Sequence, residues 1–273
     1  MDIQRIARLL CAFCLLVATG MATAQTPPAE YRPRMGQQGK DVVWIPSPER
    51  MVEKMLDMTR VTPRDLVVDL GSGDGRNVIA AAKRGARALG VEYNPDLVEL
   101  SKRNAAAAGV GDRVTFVQGD MFEADISQAS VLVLFLIPDN LKRLAPKFLQ
   151  LRPGTRIVSN TYEIGGGWEP DESEQIDLCA SWCGAHLYIV PGKAAGAWRA
   201  PDGYLVLNQE FQYVWGTYEQ NGISLPVEEG RLRGDEISFT VNRVEYAARL
   251  KGDAMEGVAK GRESRAWRAT LAR

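Results

Sequence analysis

From Asp65 onwards the chain alternates short apolar runs with longer mixed stretches. Leu66 to Leu70, Ala86 to Val91, Val114 to Val117, Val131 to Ile137 and Arg156 to Ser159 are apolar, partly β-branched and bounded by turn residues, the pattern of strands buried on both faces. Asn77 to Arg84 and Pro95 to Ala108 have helix-forming composition between them, and Asn94 is a natural cap for the second. The alternation predicts a doubly wound α/β fold, a parallel sheet with helices on both faces and a ligand at the carboxyl ends of its first strands. Ahead of it, Met51, Val52, Met55 and Leu56 share one helical face in ERMVEKMLDMTRV, with Ser47 placed to cap and Pro48 at the first helical position. His186 to Val190 supplies a last strand for this sheet. After Gly196 the period changes. Tyr204 to Leu207, Glu210 to Trp215, Glu236 to Val241 and Ala266 to Ala272 are short strand candidates separated by Asp202-Gly203, Asn221-Gly222, Arg233-Gly234 and Gly252-Asp253, which predicts a small antiparallel β domain, a sandwich or partial barrel. Trp198, Trp215 and Trp267 fill its core in this reading. The division is thus a first domain over 42–195 and a β-rich domain over 196–273.

The N-terminal pattern does not belong to either domain. Arg5 and Arg8 precede the apolar Leu9 to Val17, and Ala22-Thr23-Ala24 offers a cleavage site before Gln25, so residues 1–24 read as a secretory signal peptide and 25–41 as a flexible polar lead-in. The apolar part is too short to span as a mature helix. The expectation is a periplasmic or secreted protein with no integral membrane segment in the mature chain. Cys179 and Cys183 then remain, either as a disulfide suited to an oxidising compartment or as two packed thiols. Two thiols and the single His186 make an incomplete zinc set, so no metal is expected. A formal net charge of −1, without a long basic run, gives no electrostatic pull towards nucleic acid.

Candidate chemistry gathers in Asp65 to Arg76, DLVVDLGSGDGR. Gly71, Gly73 and Gly75 allow a sharp turn against which a ligand can lie, and Ser72 sits among them. Asp69 at the strand end and Asp74 within the turn would oppose a pyrophosphate, and Arg76 stands where a dinucleotide fingerprint has its third glycine. A neutral or cationic ligand fits better. Glu92 follows the first glycine by about 20 residues, where an acidic side chain hydrogen-bonds ribose hydroxyls. Gly119-Asp120-Met121-Phe122 ends the third apolar run.

These residues resemble motif I and the succeeding motifs of the class I S-adenosylmethionine (SAM) methyltransferases, which have a Rossmann-like sheet. Within that group the sequence looks like the lysine methyltransferases that act on the mitochondrial ATP synthase c-ring protein and on adenine nucleotide translocase, and their bacterial relatives. The shared features are DLGSGDGR-x-VIAAAK, Glu92-Tyr93-Asn94-Pro95, the acidic turn Gly119 to Phe122 and Trp168-Glu169-Pro170. The resemblance covers about Val42 to Asp171. It implies that Asp69, Gly71, Ser72, Gly73, Asp74, Glu92, Asn94, Asp120 and Met121 hold SAM, with Asp120 receiving the adenine amino group. It further implies that Trp44 and Ser47 fold over the methionine end of SAM; a staple and cap is the structural alternative for that pair. Phe135-Leu136-Ile137-Pro138 departs from the Asn-Pro-Pro-Tyr type of amino-group methyltransferases. Beyond the fifth strand, Tyr162 and Glu163 are the candidates to hold an amine, with loop packing as the alternative.

The functional expectation is a SAM-dependent methyltransferase acting on a protein lysine or a small molecule. Two other classes remain open: an exported protein that binds an adenosine or SAM-type ligand without catalysis, and an aminopropyltransferase. The second would need more carboxylates near the fourth strand than Asp139 alone.

Overall fold

The computed structural model describes residues 31–272 apart from Leu178. The expected leader, residues 1–24, and the first part of the lead-in lie outside the described residues.

The first layer is a seven-stranded sheet of order β3-β2-β1-β4-β5-β7-β6. Strands β1 (Leu66–Leu70), β2 (Arg87–Glu92), β3 (Val114–Gln118), β4 (Val131–Leu134) and β5 (Arg156–Asn160) run parallel. Strand β7 (Gly184–Ile189) is antiparallel to β5, and β6 (Glu172–Gln175) forms the edge. Helices α1 (Glu49–Met58), α2 (Arg76–Lys83), α3 (Pro95–Ala107) and α4 (Pro138–Phe148) cover the faces. Met51, Val52, Met55 and Leu56 of α1 are buried against α2, β5 and β7, as their spacing requires. Each such side chain contributes about 1.5 to 3 kcal/mol.

Two local expectations are corrected. Ser47 does not cap α1. Pro48 occupies the cap position without a side-chain bond, and the Ser47 hydroxyl instead accepts from Asn160 Nδ2 at 3.1 Å, 113 residues away. A tertiary partner has displaced the local one. Asn94 does cap α3, accepting from the Asp96 N–H at 2.9 Å. Secondly, Glu210 to Trp215 is not one strand. The chain reverses at Phe211, which takes φ +49°, so Glu210 ends one strand and Tyr213 begins the next.

The second layer is a closed eight-stranded barrel. Its strands follow one another as β8 (Gly196–Ala200), β9 (Gly203–Glu210), β10 (Tyr213–Gln220), β11 (Ile223–Arg233), β12 (Glu236–Val241), β13 (Val244–Lys251), β14 (Ala254–Lys260) and β15 (Ser264–Leu271). Closure comes from Thr270 and Leu271 of β15 pairing with Arg199 and Trp198 of β8. Closure leaves no free edge to pair with another chain. Alternate residues point inwards, and Trp198, Tyr218, Phe239, Tyr246 and Trp267 fill the interior; Trp215 points outwards and is exposed. Gly257 lets two strands approach closely, since a Cβ there would lie 2.0 Å from the Ala247 carbonyl.

Barrel and sheet are joined around Trp168-Glu169-Pro170. Trp168 is buried in the sheet's core, edge-on to Tyr188 at 5.2 Å and stacked on Phe211 of the barrel at 6.0 Å. Gln212 Nε2 donates to the Glu169 carbonyl at 2.9 Å, the Tyr213 hydroxyl donates to the Glu169 carboxylate, and Arg231 and Arg233 pair with Asp171 and Glu172. Among the described residues no helix is long and apolar enough to cross a membrane.

Candidate active site

The turn after β1 is built on β2. The Gly71 and Ser72 amides donate to the Val91 carbonyl at 2.8 and 3.0 Å, and the Gly73 N–H donates to Glu92 Oε2 at 2.9 Å. The Asn94 N–H holds the other oxygen, Oε1, also at 2.9 Å. Each carboxylate oxygen retains a further lone pair, so Glu92 is oriented by backbone amides and still able to accept from a diol. At Gly73, with φ +57°, a Cβ would stand 2.8 Å from Trp44 Nε1. The indole therefore lies directly on the loop, and only glycine fits beneath it.

Trp44 arrives on residues 36–48, which form a strap across the carboxyl ends of the strands. The strap closes on itself through Gly36 N–H to Trp44 O and Trp44 N–H to Gln37 O, each 2.9 Å. Three ties hold it to the sheet. Lys40 Nζ meets Asp120 Oδ2 at 2.5 Å, Arg76 Nη1 donates to the Ser47 carbonyl at 2.6 Å, and Ser47 Oγ accepts from Asn160. Arg76 also grips Asp74 with two bonds of 2.9 and 2.6 Å. That pairing changes the electrostatic argument drawn from sequence, because the charge of Asp74 is partly offset by its neighbour. Of the carboxylates at the loop and the ends of β1 and β2, those without a cationic partner are Asp69 and Glu92.

Asp69 is 2% exposed and accepts from Asn77 Nδ2 at 3.0 Å. Burial pushes its carboxyl up to about 7; the Asn77 bond opposes this, while the charges of Glu92 and Asp74 add to it. Asp120 behaves oppositely. The Lys40 ammonium and then the Phe122 N–H hold it below the usual carboxylate range.

The strap and the loop enclose a cleft with about 910 Å³ of empty space including its mouth. Trp44, Ser47, Asp69, Gly71, Ser72, Gly73, Asp74, Glu92, Asn94, Asp120 and Met121 all line it, with Lys40, Arg76 and Asn77 beside them. Phe135 and Leu136 form the wall where β4 ends. Tyr162 and Glu163 are not among the lining residues; Tyr162 packs on the sheet core and Glu163 is exposed. Beside them Thr161 adopts φ +66°, unusual for a β-branched residue, and its hydroxyl donates to Asn160 Oδ1 at 2.9 Å. The single histidine, His186 on β7, has Nδ1 2.9 Å from Ser173 Oγ of β6 and Nε2 3.3 Å from the carbonyl of Thr161, just beyond β5.

The fit to SAM can be judged from these groups. Ser72 and Asn77 line the cleft, and Ser72 Oγ and Asn77 Oδ1 are buried without a protein partner; the Ser72 hydroxyl is turned towards Gly90 of β2, where a Cβ would lie 2.6 Å from it, which leaves Asn77 Oδ1 as the orphan group at the cleft. Anionic character concentrates at Asp69 and Glu92, matching a ligand with cationic groups and a ribose diol. Residues 69–172 match the ANTKMT methyltransferase domain family. A protein-lysine N-methyltransferase of Saccharolobus islandicus is 41% identical over 152 residues, covering 55% of this chain and 94% of that protein. The chain belongs to the SAM-dependent methyltransferases. The adenine nucleotide translocase lysine N-methyltransferase of Mus musculus is 36% identical over 131 residues, 47% of this methyltransferase and 56% of its own length. In structure, an RNA methyltransferase from Salinibacter ruber in complex with S-adenosyl-L-homocysteine superposes with a TM-score of 0.52 at 42% identity, covering 55% of this chain and 96% of that one. The methyltransferase is an enzyme with SAM as its methyl donor.

Lys40, Arg76, Asn77, Asn160 and Phe135 join the site without a role assigned from sequence. Lys40 lies in the polar lead-in, where its distance from Asp120 gives no signal. Asn160 had one, being a polar residue at the carboxyl end of a buried strand.

Proposed function

We propose that this methyltransferase acts on a lysine side chain of a protein partner, outside the cytosol. The lysine reading is carried by the 41% identity across 94% of a protein named for that acceptor. It is supported by the net charge of −1, which gives a nucleic-acid backbone no attraction of the kind an RNA acceptor would exploit. Export is supported by the leader-like N-terminus and by the Cys179–Cys183 disulfide, a bond that persists in oxidising compartments.

When bound, SAM supplies an electrophilic methyl group on a sulfonium, and a nucleophile that takes it leaves S-adenosylhomocysteine. The chain contributes position and dryness. Glu92, held by two backbone amides, fixes a ribose; Asp69 and Asn77 line the cleft beneath the strap; Trp44 lies directly on the loop at Gly73. An ammonium acceptor must lose a proton before it can attack, and an apolar wall such as Phe135 and Leu136 favours the neutral amine by withholding solvent. Alignment of this kind can carry most of the rate for a direct displacement.

Isotope-labelled SAM and the purified enzyme, added to a cell-envelope extract of the source organism, test the proposal. A methyl group located on a protein lysine by mass spectrometry is the expected result. Label confined to RNA, to a small molecule or to other side chains would overturn the lysine reading.

A further inference from the structure

We infer that Trp182, on a loop closed by the Cys179–Cys183 disulfide, forms with Phe135 an aromatic wall that recognises the alkyl-ammonium chain of the incoming acceptor. The inference rests on the lysine reading above.

Three observations meet here. Phe135 lines the cleft at the carboxyl end of β4, while Asp120 and Met121 line it at the end of β3, on the far side of β2 and β1 in the sheet order. If Asp120 and Glu92 take the adenosine half, Phe135 stands on the reactive side. Second, the Trp182 ring, outside the cleft's own lining, is edge-on to the cleft-lining Phe135, centroids 6.0 Å apart at 64°, and so extends that wall beyond the cleft. Neither ring belongs to any of the three apolar cores, and both are only partly buried. A tryptophan and a phenylalanine paired outside every core have no packing role that accounts for them. Third, the loop bearing Trp182 is fixed at both ends. The disulfide spans Cα atoms 5.7 Å apart, the Ile176 N–H donates to the Cys183 carbonyl at 2.9 Å, and the Thr161 N–H donates to the Gly184 carbonyl at 2.7 Å. Trp182 itself takes φ +55°, a backbone state that a bulky residue holds only when its surroundings impose it.

The chemistry suits a cation on a hydrocarbon stem. Ring faces attract an ammonium, and the apolar rings cover the four methylenes of a lysine. The loop lies beyond residues 69–172, the part of the chain that matches the family domain.

The test uses n-butylamine, a mimic of the lysine side chain, with full-length protein saturated with S-adenosylhomocysteine. Binding is followed by the indole N–H resonance that disappears in Trp182→Phe, and S-adenosylhomocysteine affinity is measured alongside. The expected result is a butylamine-dependent shift of that resonance, a butylamine affinity at least about fivefold lower in Trp182→Ala and largely kept in Trp182→Phe, and unchanged S-adenosylhomocysteine affinity in both. Cys179→Ser with Cys183→Ser should weaken butylamine in the same direction. Equal binding by wild type and Trp182→Ala, or no shift of the Trp182 resonance, would overturn the inference. If label from SAM reaches protein lysines and Trp182→Ala labels them at the wild-type rate, the aromatic wall fails alone. If butylamine binds at Trp182 but no lysine is ever labelled, the lysine reading fails instead.

Discussion

Asp69 is the residue at which stability and ligand binding pull against each other. Its carboxyl is raised to about 7 in the fold, against an ordinary value of 3.8, so between those values the native state holds a proton that the unfolded chain has lost. Stability contributed by this group is therefore fully present in acid and declines as pH rises through 7. Asp69→Asn keeps a carbonyl to accept from Asn77 and removes the cost of a buried charge. It should raise the melting temperature of ligand-free protein at pH 8, by about 1 to 3 kcal/mol in stability, and change little at pH 4. A cationic ligand favours the ionised form, so SAM should bind about threefold to tenfold more tightly at pH 8 than at pH 6, and that difference should vanish in Asp69→Asn. A calorimetric titration at the two pH values checks it, and a flat profile for wild type would remove Asp69 from the cofactor's surroundings. Glu92→Gln makes a complementary case. The amide preserves one acceptor oxygen and loses the charge, and SAM affinity should fall by about 1.5 to 3 kcal/mol while the fold persists. Unchanged affinity would sink the ribose assignment. Asp69, Glu92 and the glycines were legible from sequence because one short loop and one strand end carry them. The pairing of Asp74 with Arg76 was not, because a charge sequence does not say which side chains face each other.

At the scale of elements, the strap over residues 36–48 depends on few bonds. Arg76 is the hub, bidentate to Asp74 and bonded to the Ser47 carbonyl. Arg76→Ala should release the strap from the loop, increase proteolysis near Lys40 and weaken SAM by about one power of ten, with Arg76→Lys intermediate because an ammonium cannot form the fork. If protease cleavage near Lys40 and SAM affinity both match wild type, Trp44, the Lys40–Asp120 pair and the Ser47–Asn160 bond suffice to hold the strap. Parallel strands and helices were readable because each is a local pattern: an apolar run, a cap such as Asn94, a proline at a first turn. The strap and the barrel's hairpin at Phe211 were harder. In the strap the bonds are tertiary, and at Phe211 an apolar aromatic residue in a left-handed turn hides the reversal that glycine or asparagine announces elsewhere.

For the molecule as a whole, the barrel and the cleft are separable in principle, and the sheet meets the barrel through the contacts around Trp168 to Glu172. Every cleft-lining residue lies between Gln37 and Leu136, so no barrel side chain touches the cofactor's surroundings. Yet Trp168, 1% exposed, is covered by Phe211, and the polar groups of Glu169 and Asp171 are met by Gln212, Tyr213 and Arg231. Ending the chain at Ala195 would strip one face from Trp168 and leave these groups to solvent. The shortened protein should keep SAM affinity within about threefold, because the loop, β2 and the strap are intact, while its melting temperature falls by the equivalent of about 1 to 3 kcal/mol for an uncovered aromatic. Phe211→Ala in the full chain should reproduce much of that loss. Measuring both quantities separates the outcomes: a shortened chain that folds but no longer binds SAM would show that the barrel holds the cofactor site in shape. One that melts at the wild-type temperature would show that the Trp168–Phe211 stack contributes nothing to stability. Comparing label transfer to protein lysines by the two chains then says whether the barrel, which closes without a free edge and presents Trp215 outwards, also positions the acceptor.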